Sequence, residues 1–313
     1  MKKVIVIQGV TASGKTDLAV YLAKKFNLKI VNADSTQVYK GFDIGTAKIT
    51  EVEMQGVQHF LLSFKDYSAT SKYSVYEFQK QVRTLIEKEE EPLILVGGSG
   101  YYLKAALYSL NFSSYLDADD KNIDYQDKVN YLKENQVLID FQNKRKVEQY
   151  FKSKSTETNF QNSRPLFDLL TIETELSREL QEQVFKTRIE SQFQSGFLNE
   201  ARNLYLSGIK DCEILGYREL NVYFQGLETL SQTKQNILKH TLDLAKKQKT
   251  WFKNQTKPDL VLNCFDHEKE EKAAKLVKEF LAKWQKLYLA QLWRVRLLCI
   301  NCFWKKPHLL LLI

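Results

Sequence analysis

The segment Gly9-Val10-Thr11-Ala12-Ser13-Gly14-Lys15-Thr16 constrains this chain more than any other, because it fits G-x-x-x-x-G-K-[ST] and stands between two recognisable elements. Before it, Val4-Ile5-Val6-Ile7 is a short apolar run of buried-strand type; after it, Leu18, Ala19, Leu22 and Phe26 recur at helical spacing. Strand, glycine turn and helix in that order converge backbone N–H groups and the positive end of a helix on one point, where a diphosphate can be held. Lys15 adds a positive charge there, and the Thr16 hydroxyl can ligate a magnesium ion that accompanies phosphates. All eight residues, Gly9, Val10, Thr11, Ala12, Ser13, Gly14, Lys15 and Thr16, are therefore diphosphate- or nucleotide-binding candidates. A glycine turn without ligand is the bland alternative, but packing gives no reason for a Lys-Thr pair in this place.

The same alternation continues downstream. Ile30 to Ala33 reads as a second buried strand ending at Asp34. Ser74-Val75-Tyr76-Glu77 has the spacing of a capping box, and Val75, Phe78, Val82, Leu85 and Ile86 supply one apolar helix face. Pro92 precedes a further strand, Leu93 to Val96. Strands alternating with helices predict an α/β fold, a P-loop NTPase-like parallel sheet with helices on both faces and ligands gathered outside the carboxyl ends of the strands. Gly9–Thr16, Asp34–Tyr39 and Gly97–Gly100 all fall at such ends.

The 313 residues exceed an ordinary single-domain length. Residues 1–110 read as the first part of the core. Residues 111–163 are polar, with weak helical spacing at Val129, Leu132 and Val137, and read as a small helical insertion. Residues 164–265 return to the core with a strand-like run from Pro165 to Ile172 and then C-terminal helices, and 266–313 form a further helix and an atypical apolar and basic tail. Arg294, Arg296, Lys305 and Lys306 interrupt that tail, so it does not read as a membrane span. Cys299-Ile300-Asn301-Cys302 with His308 offers fewer ligands than the four of a structural zinc. The other cysteines are Cys212 and Cys264, and with no signal-peptide pattern before Val4 the expectation is a cytoplasmic protein without membrane contact.

Charge narrows the partners only loosely. An excess of 46 Lys and Arg over 38 Asp and Glu suits a polyanion without demanding one. Lys239, Lys246, Lys247, Lys249 and Lys253 along the helix from Ile237 to Phe252 read, by themselves, as a solvated face. His240 and His267 read as helical residues that face solvent or complete local packing. A P-loop kinase or ATPase would be expected to end a hydrophobic strand in a magnesium-ordering Asp. Leu93-Ile94-Leu95-Val96 ends instead in Gly97-Gly98-Ser99-Gly100, a second turn able to approach phosphate. Asp34, at the same sheet edge, could face a second substrate, cap the segment after it, or order a metal through water; spacing does not separate these roles.

The chain resembles the tRNA dimethylallyltransferases, also called tRNA isopentenyltransferases, from Val4 to about Phe252. The resemblance is carried by Gly9–Thr16, Asp34-Ser35-Thr36-Gln37-Val38-Tyr39, Asp43-Ile44-Gly45-Thr46-Ala47-Lys48, Gly56-Val57-Gln58-His59, Tyr73-Ser74-Val75, Gly97-Gly98-Ser99-Gly100-Tyr101-Tyr102-Leu103, Gly216-Tyr217-Arg218-Glu219 and Ala245-Lys246-Lys247-Gln248-Lys249-Thr250-Trp251-Phe252. It implies that the phosphate loop holds dimethylallyl diphosphate rather than ATP, and that the dimethylallyl group passes to the exocyclic amine of the adenine next to the anticodon. Asp34 would be the general base, with Lys15, Ser99, Arg218 and a magnesium ion at Thr16 stabilising the diphosphate that leaves. Asp34, Ser35, Thr36, Gln37, Ser99, Lys246 and Lys247 would meet the tRNA, joined by the insertion, and the enzyme would be a monomer.

The chain departs from the family pattern in places. Val10 stands for a Pro, Phe60 for a His, Ser99 for a Thr, and Leu242 and Lys247 for Arg. Gln192 replaces the Arg that usually pairs with Arg188, and Asn143-Lys144-Arg145-Lys146-Val147-Glu148 only faintly matches a basic segment that touches tRNA. An adenylate isopentenyltransferase acting on free nucleotide, a catalytically degenerate tRNA-binding homologue and a small-molecule P-loop kinase are the competing readings.

Overall fold

The structure is a computed structural model of the chain and describes residues 1–69, 72–109, 125–134, 143, 144, 147 and 164–282. Six parallel strands form one sheet, β1 (Lys3–Gly9), β2 (Lys29–Asn32), β3 (His59–Phe60), β4 (Leu93–Gly97), β5 (Asp168–Glu175) and β6 (Leu260–Asn263), in the order β3-β2-β4-β1-β5-β6. All seven residues of β1 are buried, as a central strand covered on both faces requires.

Alternate residues of the strands feed two separate cores. Val4, Val6, Val31, Leu93 and Leu95 point to one face, against Phe78, Val82 and Ile86 of α3 (Val75–Lys88) and Leu103 and Ala106 of α4 (Gly100–Leu107). Ile5, Ile7, Ile30, Ile94 and Ile172 point to the other, against Leu18, Ala19 and Leu22 of α1 (Lys15–Phe26) and Ala273, Ala274 and Val277 of a helix over residues 269–282. The C-terminal helix thus belongs to the core. The remaining helices are α2 (Glu51–Met54), α5 (Tyr125–Glu134), α6 (Arg178–Gln194), α7 (Phe197–Leu206), α8 (Tyr217–Phe224) and α9 (Leu230–Gln255), with residues 269–282 as α10.

Local signals set several boundaries. In the expected capping box of α3, the Glu77 N–H donates to Ser74 Oγ at 3.1 Å and the Ser74 N–H to Glu77 Oε2 at 2.7 Å, a cap that contributes about 1 kcal/mol. Helix α1 is bracketed by left-handed Gly14 and Asn27, φ +74° and +53°. The strand expected from Pro165 instead runs from Asp168, whose N–H donates to the Lys2 carbonyl and so starts pairing with β1. Edge strands β3 and β6, of two and four residues, have no pattern of their own in the sequence. Within the insertion, α5 covers the spacing expected around Val129, which is buried. Val137, Arg145, Lys146, Glu148 and the tail with Cys299, Cys302 and His308 lie outside the described residues. His267 sits in an exposed turn and not in a helix. Among the described residues no helix is long and apolar enough to cross a membrane.

Strand order decides where a ligand goes. From β1 the chain crosses by α1 to β2, two places to one side; from β4, the neighbour of β1, it crosses by α4 to β5 on the opposite side. The loops after β1 and β4 therefore part and leave a crevice at the carboxyl edge. They are Gly9–Gly14 and Gly98–Ser99.

Candidate active site

The phosphate loop is shaped by contacts that its sequence anticipates. Gly9 has φ +149°, and a Cβ there would lie 2.3 Å from the Thr174 carbonyl oxygen, so β5 can approach only because the side chain is missing. Ser13 is buried, donating from Oγ to the Val10 carbonyl at 2.8 Å with Thr174 Oγ1 2.6 Å away. Lys15 Nζ donates to the same Val10 carbonyl at 2.5 Å. Burial of the ammonium, aided by the Arg188 guanidinium and opposed by Asp34, brings the Lys15 pKa down to about 7. Thr16 is exposed on the first turn of α1, and its hydroxyl bonds to nothing among the described residues.

Beside the loop opens a cavity of about 360 Å³ lined from six segments of the chain. Thr11 comes from the phosphate loop, Asp34, Ser35 and Thr36 follow β2, and Gly98 and Ser99 follow β4. Its opposite wall is largely apolar, with Phe185 and Ile189 of α6, Phe197, Ile214, Ile237 and Trp251. Asp34 is the one carboxylate among the lining residues, and Arg188 and Lys247 are the cations. Asp34 Oδ1 accepts from the Thr36 N–H at 2.8 Å and Thr36 Oγ1 at 2.6 Å, which holds the carboxylate in an Asx turn and leaves Oδ2 unengaged by the described residues. Of the roles left open by spacing, local capping is therefore real, and it uses only one oxygen.

Two side chains without a role assigned from the motifs complete the site. Arg188 donates to Thr11 Oγ1 at 3.4 Å and is held below the ordinary arginine pKa by burial, against the pull of Asp34. Its signal was a charged residue on the buried face of a helix, between Phe185 and Ile189. Gln248 reaches from α9 to both loops, accepting from the Thr11 N–H at 2.9 Å and donating to the Gly98 carbonyl at 3.1 Å. The glycines after β4 also find packing reasons. A Cβ on Gly98 would lie 2.5 Å from Gln248 Nε2, and one on Gly100 2.1 Å from Trp251 Cε3. These glycines admit α9, whatever they offer a phosphate.

Gln192, on the turn of α6 after Arg188, also lines the cavity and donates to the carbonyls of Ile44 and Gly45 at 2.7 and 3.1 Å. The loop it holds is clamped further by Glu200, whose carboxylate accepts from the N–H groups of Asp43, Ile44 and Gly45 and from the Tyr217 hydroxyl. Burial and the Glu200 carboxylate push the Tyr217 hydroxyl pKa far up.

Other expected site residues stand apart from the cavity. Arg218, 43% exposed at the start of α8, donates from Nε to buried Glu219, which also accepts from His240 and the Gly216 N–H. Arg218 does not line the cavity, though its neighbours Ile214, Leu215 and Gly216 do. Gln37 turns away to the carbonyls of Thr46 and Ala47, and Lys246 is exposed on the outer face of α9, whereas Lys247 lines the rim. Gly9, Val10, Ala12, Ser13, Gly14, Lys15 and Thr16 form the loop behind Thr11 and not the cavity wall itself.

Fold and site together define a P-loop α/β protein whose phosphate loop opens onto a half-apolar cavity carrying a single carboxylate. A sequence model of the IPP transferase family matches residues 37–255. The tRNA dimethylallyltransferases of Acholeplasma laidlawii strain PG-8A and Phytoplasma australiense are 38% and 39% identical to this chain, each over 90% of it and 99% of the relative. The crystal structure of the tRNA delta(2)-isopentenylpyrophosphate transferase of Staphylococcus epidermidis superposes with a TM-score of 0.68 at 29% identity, over 90% of this chain and 99% of the other. This chain belongs to the IPP transferase family.

Proposed function

We propose that this protein transfers the dimethylallyl group of dimethylallyl diphosphate to the exocyclic amine of the adenine next to the anticodon in tRNA, releasing diphosphate. The observation that carries the reading is the cavity: one carboxylate, Asp34, shares it with the phosphate loop and with a wall of Phe185, Ile189, Phe197 and Ile237. A hydrocarbon group needs that wall and a phosphoryl acceptor does not. In this reading the N–H groups of the loop, Lys15 and Arg188 hold the diphosphate, and the prenyl chain lies against the apolar side.

As the allylic C–O bond breaks, negative charge grows on the diphosphate while the amine becomes strongly acidic. Lys15 and Arg188, already in place and poorly hydrated, stabilise that charge without reorganising. Asp34 Oδ2 takes the amine proton as the new C–N bond forms, while Oδ1 stays anchored on Thr36. A magnesium ion suits a place where one hydroxyl, that of Thr16, is unengaged and the diphosphate's own oxygens supply the other ligands. Bound there, it would neutralise part of the leaving charge. Ser35 and Ser99, which line the cavity together with Asp34, offer hydroxyls to an adenine taken out of its stack in the anticodon loop. Lys246 and Lys247 on α9, with the insertion that contains α5, meet phosphates of the anticodon arm.

The test is mass spectrometry of anticodon-loop fragments after incubation of the protein with unmodified tRNA and dimethylallyl diphosphate. One added prenyl group on the adenine beside the anticodon is the expected result. Equal transfer to free adenosine monophosphate would replace this reading with that of an adenylate isopentenyltransferase, and phosphorylation of an acceptor by ATP with that of a kinase.

A further inference from the structure

The two loops that meet at the crevice belong to neighbouring strands, with Gln8 of β1 in register with Gly97 of β4, yet beyond that register no backbone hydrogen bond between them is present among the described residues. What joins them is one side-chain amide. Gln248 Oε1 accepts the Thr11 N–H and Gln248 Nε2 donates to the Gly98 carbonyl. The amide is carried by a helix that is itself held: Ala245 is buried against Val10 and Phe185, and Phe252 is buried two turns on, while Trp251 covers Gly100. The amide lies where a Cβ on residue 98 would be, 2.5 Å from Nε2, so a larger residue there would displace it from its present place.

The bridge demands an acceptor and a donor on a single planar group at this reach. Glutamate keeps the acceptor but loses the donor, and adds a charge beside a phosphate loop. Lysine and arginine cannot accept from Thr11, and leucine does neither. One side of the bridge leads into the loop Ala12–Thr16, and the other into Ser99, the residue after Gly98. The length of the amide therefore sets how far the phosphate loop stands from the turn that brings Ser99 to the cavity shared with Asp34.

We propose that Gln248 is a positioning residue for prenyl transfer, the side chain that fixes the spacing between the diphosphate held by the phosphate loop and the acceptor amine held beside Ser99 and Asp34. The inference rests on the transfer reading above. Its consequence is a coupling ratio. With the spacing kept, each C–O bond that breaks is matched by one C–N bond to adenine. With the spacing lost, water attacks the allylic carbon instead: its oxygen forms the new C–O bond, diphosphate leaves, and the extra proton passes to solvent, giving dimethylallyl alcohol.

The experiment measures diphosphate released and prenyl groups on tRNA in the same reaction, for wild type, Gln248→Leu and Gln248→Glu, with donor and tRNA affinities and melting temperatures taken separately. The expected result is a ratio near one for wild type and a ratio well above one for Gln248→Leu. Turnover to tRNA should fall by about 100-fold, the cost of a misplacement on the order of an ångström, with donor affinity little changed. Gln248→Glu keeps the Thr11 hydrogen bond and should uncouple less, so that the two variants rank by bridge and not by stability. Wild-type transfer at a ratio of one with both variants also at one overturns the inference alone, whether or not their turnover or melting falls. Wild-type protein that prenylates no tRNA overturns the transfer reading and this inference with it.

Discussion

Lys15 offers a quantitative test of the phosphate loop. Burial and the neighbouring Arg188 guanidinium bring the pKa of the Lys15 ammonium down to about 7 from the usual 10.5. A diphosphate placed in the loop brings negative charge to the ammonium, restores the protonated form and draws in a proton on binding. Affinity for diphosphate therefore falls as pH rises through 7, because protein that has lost the proton must regain it. If only the ammonium form binds, the competent fraction drops from about nine-tenths at pH 6 to about one-tenth at pH 8, roughly tenfold in affinity or about 1.4 kcal/mol. Calorimetric titration with inorganic diphosphate in buffers of different ionisation heats, corrected for the anion's own titration, measures both affinity and proton uptake. Lys15→Arg keeps a charge that does not titrate here and should lose the Lys15 share of the pH dependence. Wild type and Lys15→Arg with the same proton uptake across this range would show that the lysine is already charged before diphosphate binds and refute the reasoning.

The remaining predictions concern the base, the packing of α9 and the tRNA surface. Asp34→Asn keeps an oxygen for Thr36 but removes the proton acceptor, so single-turnover transfer should fall about 100-fold or more; donor affinity should hold at a pH acid enough to keep Lys15 protonated, since losing the carboxylate lowers the Lys15 pKa further. Unchanged turnover eliminates Asp34 as the base. Gly100→Ala drives a methyl into the Trp251 ring, 2.1 Å from Cε3, and should lower stability by about 1–3 kcal/mol in chemical denaturation; an unshifted unfolding midpoint would mean that α9 moves freely. Replacing Lys246, Lys247 and Lys249 together should flatten the dependence of tRNA affinity on salt by roughly one unit for each phosphate that is no longer neutralised, and an unchanged slope would place the tRNA elsewhere.

What the sequence determined by itself was local or periodic. Gly9–Thr16 between an apolar run and a helical spacing specifies strand, loop and helix because each of those signals acts over a few residues, and Ser74 with Glu77 marks the start of α3 for the same reason. Alternation of such units implied a parallel sheet, and with it the common edge on which Asp34 and Ser99 meet the phosphate loop. The resemblance of the motifs pointed to the family.

Tertiary structure alone decided which distant side chains complete the site. Arg188 stands 177 residues from Thr11 and Gln248 stands 237, on helices whose spacing shows a buried face without showing what it is buried against. The apolar wall had the same invisibility: Phe185, Phe197 and Ile237 are buried core positions, and only the crossing of α6, α7 and α9 leaves a cavity between them. Arg218, which the resemblance implies as a diphosphate partner, donates its Nε to buried Glu219, which also takes His240, a pairing set by the packing of α8 on α9. The glycines after β4 were legible as glycines, but their reason was not, because it lies in Gln248 and Trp251 pressing on them from another helix. Periodicity reports the side of an element that leaves water; it carries no information on which other element arrives there, and a site assembled from six segments is made of those arrivals.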